Sequence, residues 1–228
     1  MMFHTGARPR IATRRITAMQ DKTGEMMAMM LWTAADPAPN PRRVRLFLQA
    51  KGLELPATDL SLIKREHKSD AVMALNPRGQ VPFLELDDGT VLAETISICR
   101  YLDELHPEPP LLGTTALERA ETDMWIRRAE NVLGTPISLA WQHGHPFTAK
   151  LVQQIPAMGE QARGNAQTAF AWFDGQLQER PWLAGTRFTL ADIALLTIVD
   201  FAGWIDIKPP EALTALADWH ARATARVA

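Results

Sequence analysis

The side chains best placed to do chemistry in this chain are not the usual nucleophiles. Cys99 is the only cysteine, which excludes an intrachain disulfide framework, a Cys-x-x-Cys redox pair and a multi-cysteine zinc site. Tyr101 is the only tyrosine, and His143-Gly144-His145 lacks the further His or carboxylate at ligand spacing that a metal site needs. What remains is polar groups gathered where helices should begin: Asn40-Pro41 followed by Arg42, Arg43 and Arg45, and farther on Glu94-Thr95. A helix N-terminus offers unpaired N–H groups and partial positive charge, so such points hold anions. The arginines make a cationic helix start that either attracts an anion or is solvated. Asp200 falls in a nearly all-apolar stretch, Ile193 to Phe201, where a lone carboxylate is costly and must pair or cap internally.

The elements that must position these groups follow from pattern. Residues 1–28 carry Arg8, Arg10, Arg14, Arg15 and Lys22 against Asp21 and Glu25 and show no sustained period. They are set outside the fold, as a disordered extension, an upstream start ahead of Met27, Met29 or Met30, or an Arg-rich leader. Met29 to Thr33 reads as a strand. Asn40 then reads as the cap of a helix with Pro41 as its first residue, running to Lys51 with Val44, Phe47 and Leu48 on one face and Gly52 as its left-handed exit. Leu55 to Leu60 is a second strand, and Ser69 to Leu75 a short helix. Val81 to Leu86, Asp87-Asp88-Gly89 and Thr90 to Ala93 read as a hairpin. Glu94 to His106 is helical, with Ile98, Tyr101, Leu102 and Leu105 on one face. The order β-α-β-α-β-β-α implies a small mixed sheet flanked by helices.

Pro107-Glu108-Pro109-Pro110 opens a linker over residues 107–115, and everything from 116 to 228 reads as helix. Ala162, Ala166, Ala169, Phe170 and Phe173 form an apolar stripe, Thr189 and Asp192 a capping box, and Glu211 to Arg226 a last amphipathic helix. The chain thus divides into a domain over 29–106 and an all-α domain after the linker. Its 24 Lys+Arg against 26 Asp+Glu give a net charge of −2, which counts against nucleic acid and anionic membrane as partners. No run approaches the roughly 18 apolar residues of a membrane span.

A small βαβαββα domain joined by a Pro-rich linker to a helical domain resembles the cytosolic glutathione transferase superfamily, in its bacterial theta-like and nu-like flavour. HKSDAVMALNPRGQVPFLELDDGTVLAETISICRYL, His67 to Leu102, is similar to the glutathione-binding half of that family's thioredoxin-like domain, and Pro181 to Ile193 resembles its C-terminal signature. The resemblance implies that Pro82 is cis, that the backbone of Val81 pairs with the cysteinyl amide of glutathione, and that Thr95 holds the γ-glutamyl carboxylate while Glu94 accepts from its ammonium. It places His67 and Gln80 at the cysteinyl-glycine end. Trp125, Arg128 and Trp141 fall where the family builds its apolar co-substrate pocket.

The resemblance is weakest at the thiol. The family uses a Tyr or Ser hydroxyl, or a Cys, between the first strand and first helix, and here that stretch is Thr33 to Val44. Ala38 occupies the theta-like Ser position. The zeta-type Ser-Ser-Cys would fall on Ala38-Pro39-Asn40, which counts against a maleylacetoacetate isomerase. Asn40 matches the Asn of the nu-like Thr-Pro-Asn and is the candidate catalytic residue, with capping of the helix as its competing role and Thr33 or a backbone N–H as a lesser donor. The implied function is an enzyme in which the glutathione thiolate attacks a small electrophile, with glutathione a co-substrate and no tightly bound cofactor or metal. The alternatives are a glutathione-dependent disulfide or peroxide reductase, and a non-catalytic glutathione-binding or protein-interaction module. A cytoplasmic homodimer is the implied assembly.

Overall fold

The computed structural model describes residues 18–20 and 26–228. The strand β1, Ala18–Gln20, runs antiparallel to the start of β2, Met26–Thr33, with Ala18 opposite Ala28 and Gln20 opposite Met26. The fold therefore reaches into the segment that the sequence sets aside. The alternating signal there is too short to read, because three paired residues satisfy the backbone without requiring an apolar face. The rest of residues 1–28 lies outside the described residues.

Helix α1, Pro39–Lys51, leads to β3, Ala57–Asp59, which pairs parallel to β2. A 3₁₀ turn at Glu66–Lys68 and the short α2, Asp70–Leu75, precede β4, Phe83–Leu86, and β5, Val91–Ala93. Strand β4 lies antiparallel to both β2 and β5, with Leu84 opposite Leu31 on one side and Leu92 on the other. The Asp-Asp-Gly turn closes the hairpin: Leu86 N–H donates to Thr90 O at 2.9 Å, and Gly89 sits at φ 83°. Helix α3, Thr95–Leu105, completes the domain.

The period of β2 splits it between two cores. Met29 and Leu31 pack with α1, α3 and the helical domain, whereas Met30 and Trp32 pack with Leu60, Val72 and Phe83 on the opposite face. Trp32 stacks on Phe83 at 5.5 Å and 9°.

The helical domain begins at α4, Ala116–Arg128, capped by a Thr115/Glu118 box, and continues without interruption through a π-helical stretch, Ala129–Gly134, into α5, Thr135–Gly144. Then come a 3₁₀ segment at Pro146–Lys150 and α6, Pro156–Gln178, whose buried Ala162, Ala166, Ala169, Phe170 and Phe173 are the expected stripe. Helix α7, Leu190–Trp204, is buried nearly all round. Its capping box forms as expected, with Thr189 N–H donating to Asp192 Oδ2 at 3.0 Å. Helix α8, Thr214–Arg226, starts three residues later than its sequence pattern suggests.

Candidate functional site

Helix α1 carries the first part of the site, and its start differs from the sequence expectation. Ala38 is the N-cap and makes no side-chain capping bond, Pro39 is the first helical residue, and Asn40 is the second. The pair Pro39 and Pro41 allows either residue to serve as first-turn proline, so the sequence could not choose between the two starts. The consequence is that Asn40 does not cap. Its side chain is exposed and makes no hydrogen bond among the described residues. Pro39 and Pro41 have no N–H, and Arg42 N–H already donates to Ala38 O at 3.2 Å, so within residues 39–42 the free backbone N–H belongs to Asn40 alone.

All seven residues singled out from the sequence, Asn40, His67, Gln80, Val81, Pro82, Glu94 and Thr95, line one cleft of 660 Å³. The Val81-Pro82 bond is cis. Val81 precedes β4, and neither its N–H nor its C=O is bonded within the described residues. Glu94 is not a helical residue but the N-cap of α3, held at φ 66° and ψ 121°. That left-handed region is unfavourable for a residue with a Cβ and is concentrated at functional sites. Thr95, the first residue of the helix, is buried, and its Oγ1 accepts from Arg43 Nη1 at 2.9 Å. One of its two acceptor lone pairs is thereby occupied, and the hydroxyl proton remains free to donate into the cleft.

Another part of the lining is a loop stiffened by Asn76. Buried Asn76 donates through Nδ2 to Gln80 O at 2.8 Å and accepts from Arg78 N–H at 3.3 Å. Arg78 Nε donates to Gln80 Oε1 at 2.9 Å, which leaves the Gln80 amide N–H₂ facing outward as a donor. Gly79, at φ 52°, lets the chain close here: a Cβ would lie 2.5 Å from the Met73 sulfur and 2.9 Å from His67 O. Partial burial, followed by the nearby charges of Lys68 and Arg65, lowers the His67 pKa and so favours the neutral imidazole.

A second chamber of 420 Å³ adjoins the first, and Pro39, Asn40, Arg43, Glu130 and Trp141 border both. Its lining combines apolar Ile137, Trp141, Ile198 and Phe201 with polar Asn131 and Glu130 from the π-helical stretch. Of the aromatic candidates, only Trp141 faces this chamber; Trp125 is buried in the core beneath Arg128, whose guanidinium lies 4.6 Å from the Trp125 ring. Arg43 crosses between the domains, with Nη1 also donating to Glu130 Oε1 at 2.8 Å.

The remaining candidates are structural. Arg42 pairs with Asp200, whose other oxygen lies 2.6 Å from His220 Nε2. Burial opposes the Asp200 charge, but the bonds to His220 and Arg42 outweigh it and lower its pKa. Cys99 is fully buried, and burial pushes its thiol far above the ordinary range, so it does not serve as a nucleophile. Among the described residues no cluster of His, Cys, Asp and Glu suits a metal, and no helix is long and apolar enough to cross a membrane.

Comparison with known proteins points to one family. The family model for the glutathione S-transferase N-terminal domain matches residues 38–105, and that for the glutathione S-transferase C-terminal domain matches residues 143–226. The chain is 37% identical over 204 residues to glutathione S-transferase 2 of Saccharomyces cerevisiae, covering 87% of this chain and 88% of that one. It is 42% identical over 164 residues to a maleylacetoacetate isomerase of Pseudomonas aeruginosa, covering 68% and 72%. Among solved structures, a glutathione S-transferase domain-containing protein of Marinobacter aquaeolei superposes with a TM-score of 0.80 at 33% identity, covering 86% of this chain and 98% of that one.

Proposed function

The chain belongs to the glutathione S-transferase family, and from that premise we propose that Asn40 holds the glutathione thiolate for attack on an electrophile in the adjoining chamber. The protein is a glutathione transferase-like enzyme. Glutathione lies along the larger cleft. Its cysteinyl amide pairs with the backbone of Val81 beside Pro82, its γ-glutamyl carboxylate takes the Thr95 hydroxyl and the start of α3, and its ammonium faces Glu94. Its glycyl end lies toward Gln80 and His67. Its sulfur then reaches the start of α1, where both cavities meet.

One observation carries the assignment: Asn40 is exposed, does not cap its helix, and borders both cavities. A thiol with an ordinary pKa near 8.5 is mostly protonated at neutral pH, and each unit of lowering needs about 1.4 kcal/mol of preference for the anion. The carboxamide N–H of Asn40 and the field of the helix N-terminus both supply it, the latter about 0.3–1 kcal/mol. The stretch Ala38-Pro39-Asn40 has neither hydroxyl nor thiol, which separates this site from the isomerase pattern despite the likeness of chain.

The test is a pH titration of thiolate absorbance for glutathione bound to the full chain and to Asn40→Ala. The bound thiol pKa is expected below the free value, and Asn40→Ala is expected to raise it by about one pH unit. Binding without any lowering would leave a glutathione-binding module, and thiol exchange with a disulfide but no addition to electrophiles would make it a reductase. The same reading makes the protein a cytoplasmic homodimer with glutathione as co-substrate and no resident cofactor. The family's habit and the near-neutral charge support it, and sedimentation checks the assembly.

A further inference from the structure

Of the residues bordering both cavities, Arg43 is the one whose charge glutathione binding does not fully use. It is 3% exposed. Its Nη1 serves Thr95 and Glu130, its Nε is enclosed without an acceptor, and its Nη2 has no acceptor among the described residues. A buried guanidinium short of acceptors is costly to maintain, and this one lies where the sulfur and its target must meet. Glu130 does not cancel it, because that carboxylate is shared with Arg127 Nη1 at 3.5 Å. Arg127 also lies 3.9 Å from Asp123, which Arg100 shares at 3.0 Å, so three guanidinium groups face two carboxylates in this network.

The chamber beside it is lined by both polar groups, Arg43, Glu130 and Asn131 among them, and apolar ones, including Trp141 and Phe201. Building on the reading above, we propose that Arg43 is a catalytic residue toward the second substrate, and that this substrate is a conjugated enal or enone with an apolar substituent. The guanidinium takes the carbonyl oxygen while the substituent lies against Trp141 and Phe201. The thiolate sulfur bonds to the β-carbon, the C=C electron pair shifts to give an enolate with its charge on oxygen, and water then protonates the α-carbon. Nothing leaves, and no oxidant or reductant is needed. Charge grows on that oxygen only as the S–C bond forms, so a fixed cation beside it favours the transition state over the ground state. An alkyl halide expels its anion on the side away from sulfur and gains less from Arg43.

The readout is a ratio, kcat/KM for trans-2-octenal over kcat/KM for 1-iodohexane, with glutathione and the full chain. Arg43→Gln is expected to lower it roughly 10-fold or more. Glu130→Gln keeps the cation, removes its counter-charge and is expected to raise the ratio by about threefold. Equal losses on both electrophiles in Arg43→Gln would mean that Arg43 acts only on glutathione through Thr95, and would overturn the inference. If that variant does not fold, an unchanged or lowered ratio in Glu130→Gln overturns it instead. A wild-type enzyme that conjugates neither compound contradicts the transferase reading itself, whereas one that accepts the halide and not the enal contradicts only the role of Arg43.

Discussion

Glu94 sets stability against binding within one residue. Its φ of 66° and ψ of 121° cost a side-chain-bearing residue about 1–3 kcal/mol, and glycine, lacking the Cβ, takes a positive φ at less cost. Its carboxylate is proposed to face the ammonium of glutathione. Glu94→Gly should therefore raise stability by about 1 kcal/mol in urea denaturation while raising KM for glutathione roughly 10-fold or more, the scale of a lost charged hydrogen bond. Glu94→Gln should raise KM without the gain in stability, since it keeps the strained backbone. A stabilised Glu94→Gly with unchanged KM would show that the strain serves the helix start and not the ligand. That Glu94 shares a cleft with Thr95 was legible from its place before it. Its backbone was not, because an acidic residue at a helix start is equally at home with extended dihedrals. Asn40 repeats the lesson: its residue type and position could be read, but two flanking prolines hid which residue opens the helix.

Helix α7 shows how a local motif acquires a long-range role. Thr189 and Asp192 could be recognised as a capping box because they stand at i and i+3. The same carboxylate also accepts from Leu183 N–H at 3.0 Å and from Trp219 Nε1 at 3.0 Å, tying the loop before α7 and the face of α8 to one oxygen. A partner 27 residues away leaves no periodic trace, so that part was not legible. Burial raises the Asp192 pKa to about 6 even though four donors surround the carboxylate and favour its charge. A folded carboxyl raised above its unfolded value near 3.8 binds its proton more tightly in the fold. Its contribution to stability is then complete below about pH 4 and lost as pH rises through about 6. Relative to Asp192→Asn, which does not titrate, wild-type stability should fall by roughly 3 kcal/mol between pH 3.5 and pH 7. Parallel urea midpoints for the two proteins across that range would show that the carboxyl is not perturbed.

At the scale of the whole molecule, a buried cation besides Arg43 ties the first domain to the segment that leads to the second. Lys51, at the end of α1, is fully enclosed; its Nζ donates to His106 O at 2.7 Å and to Pro109 O at 2.6 Å, and pairs with Asp103 of α3. One ammonium thus joins the helix that carries Asn40 and Arg43, the last helix of the first domain, and the segment leading to the second. The Pro-rich linker was legible from its composition, but the lysine that fastens it was not, because a basic residue in a helix's last turn is ordinarily a solvated charge complementing the helix dipole. Lys51→Met keeps most of the volume but leaves a buried carboxylate and two carbonyls unpaired, which should cost roughly 3–5 kcal/mol. Adding Asp103→Leu removes the stranded charge and should restore much of that loss, the signature of an ion pair whose members matter more broken than absent. Because both cavities are walled by the two domains together, the shifted linker should also lower kcat/KM in Lys51→Met under conditions where the protein remains folded. The double variant separates the two effects: stability that returns without activity would show that Lys51 fixes the relative placement of the domains, and activity that returns with stability would show that the charge balance alone suffices.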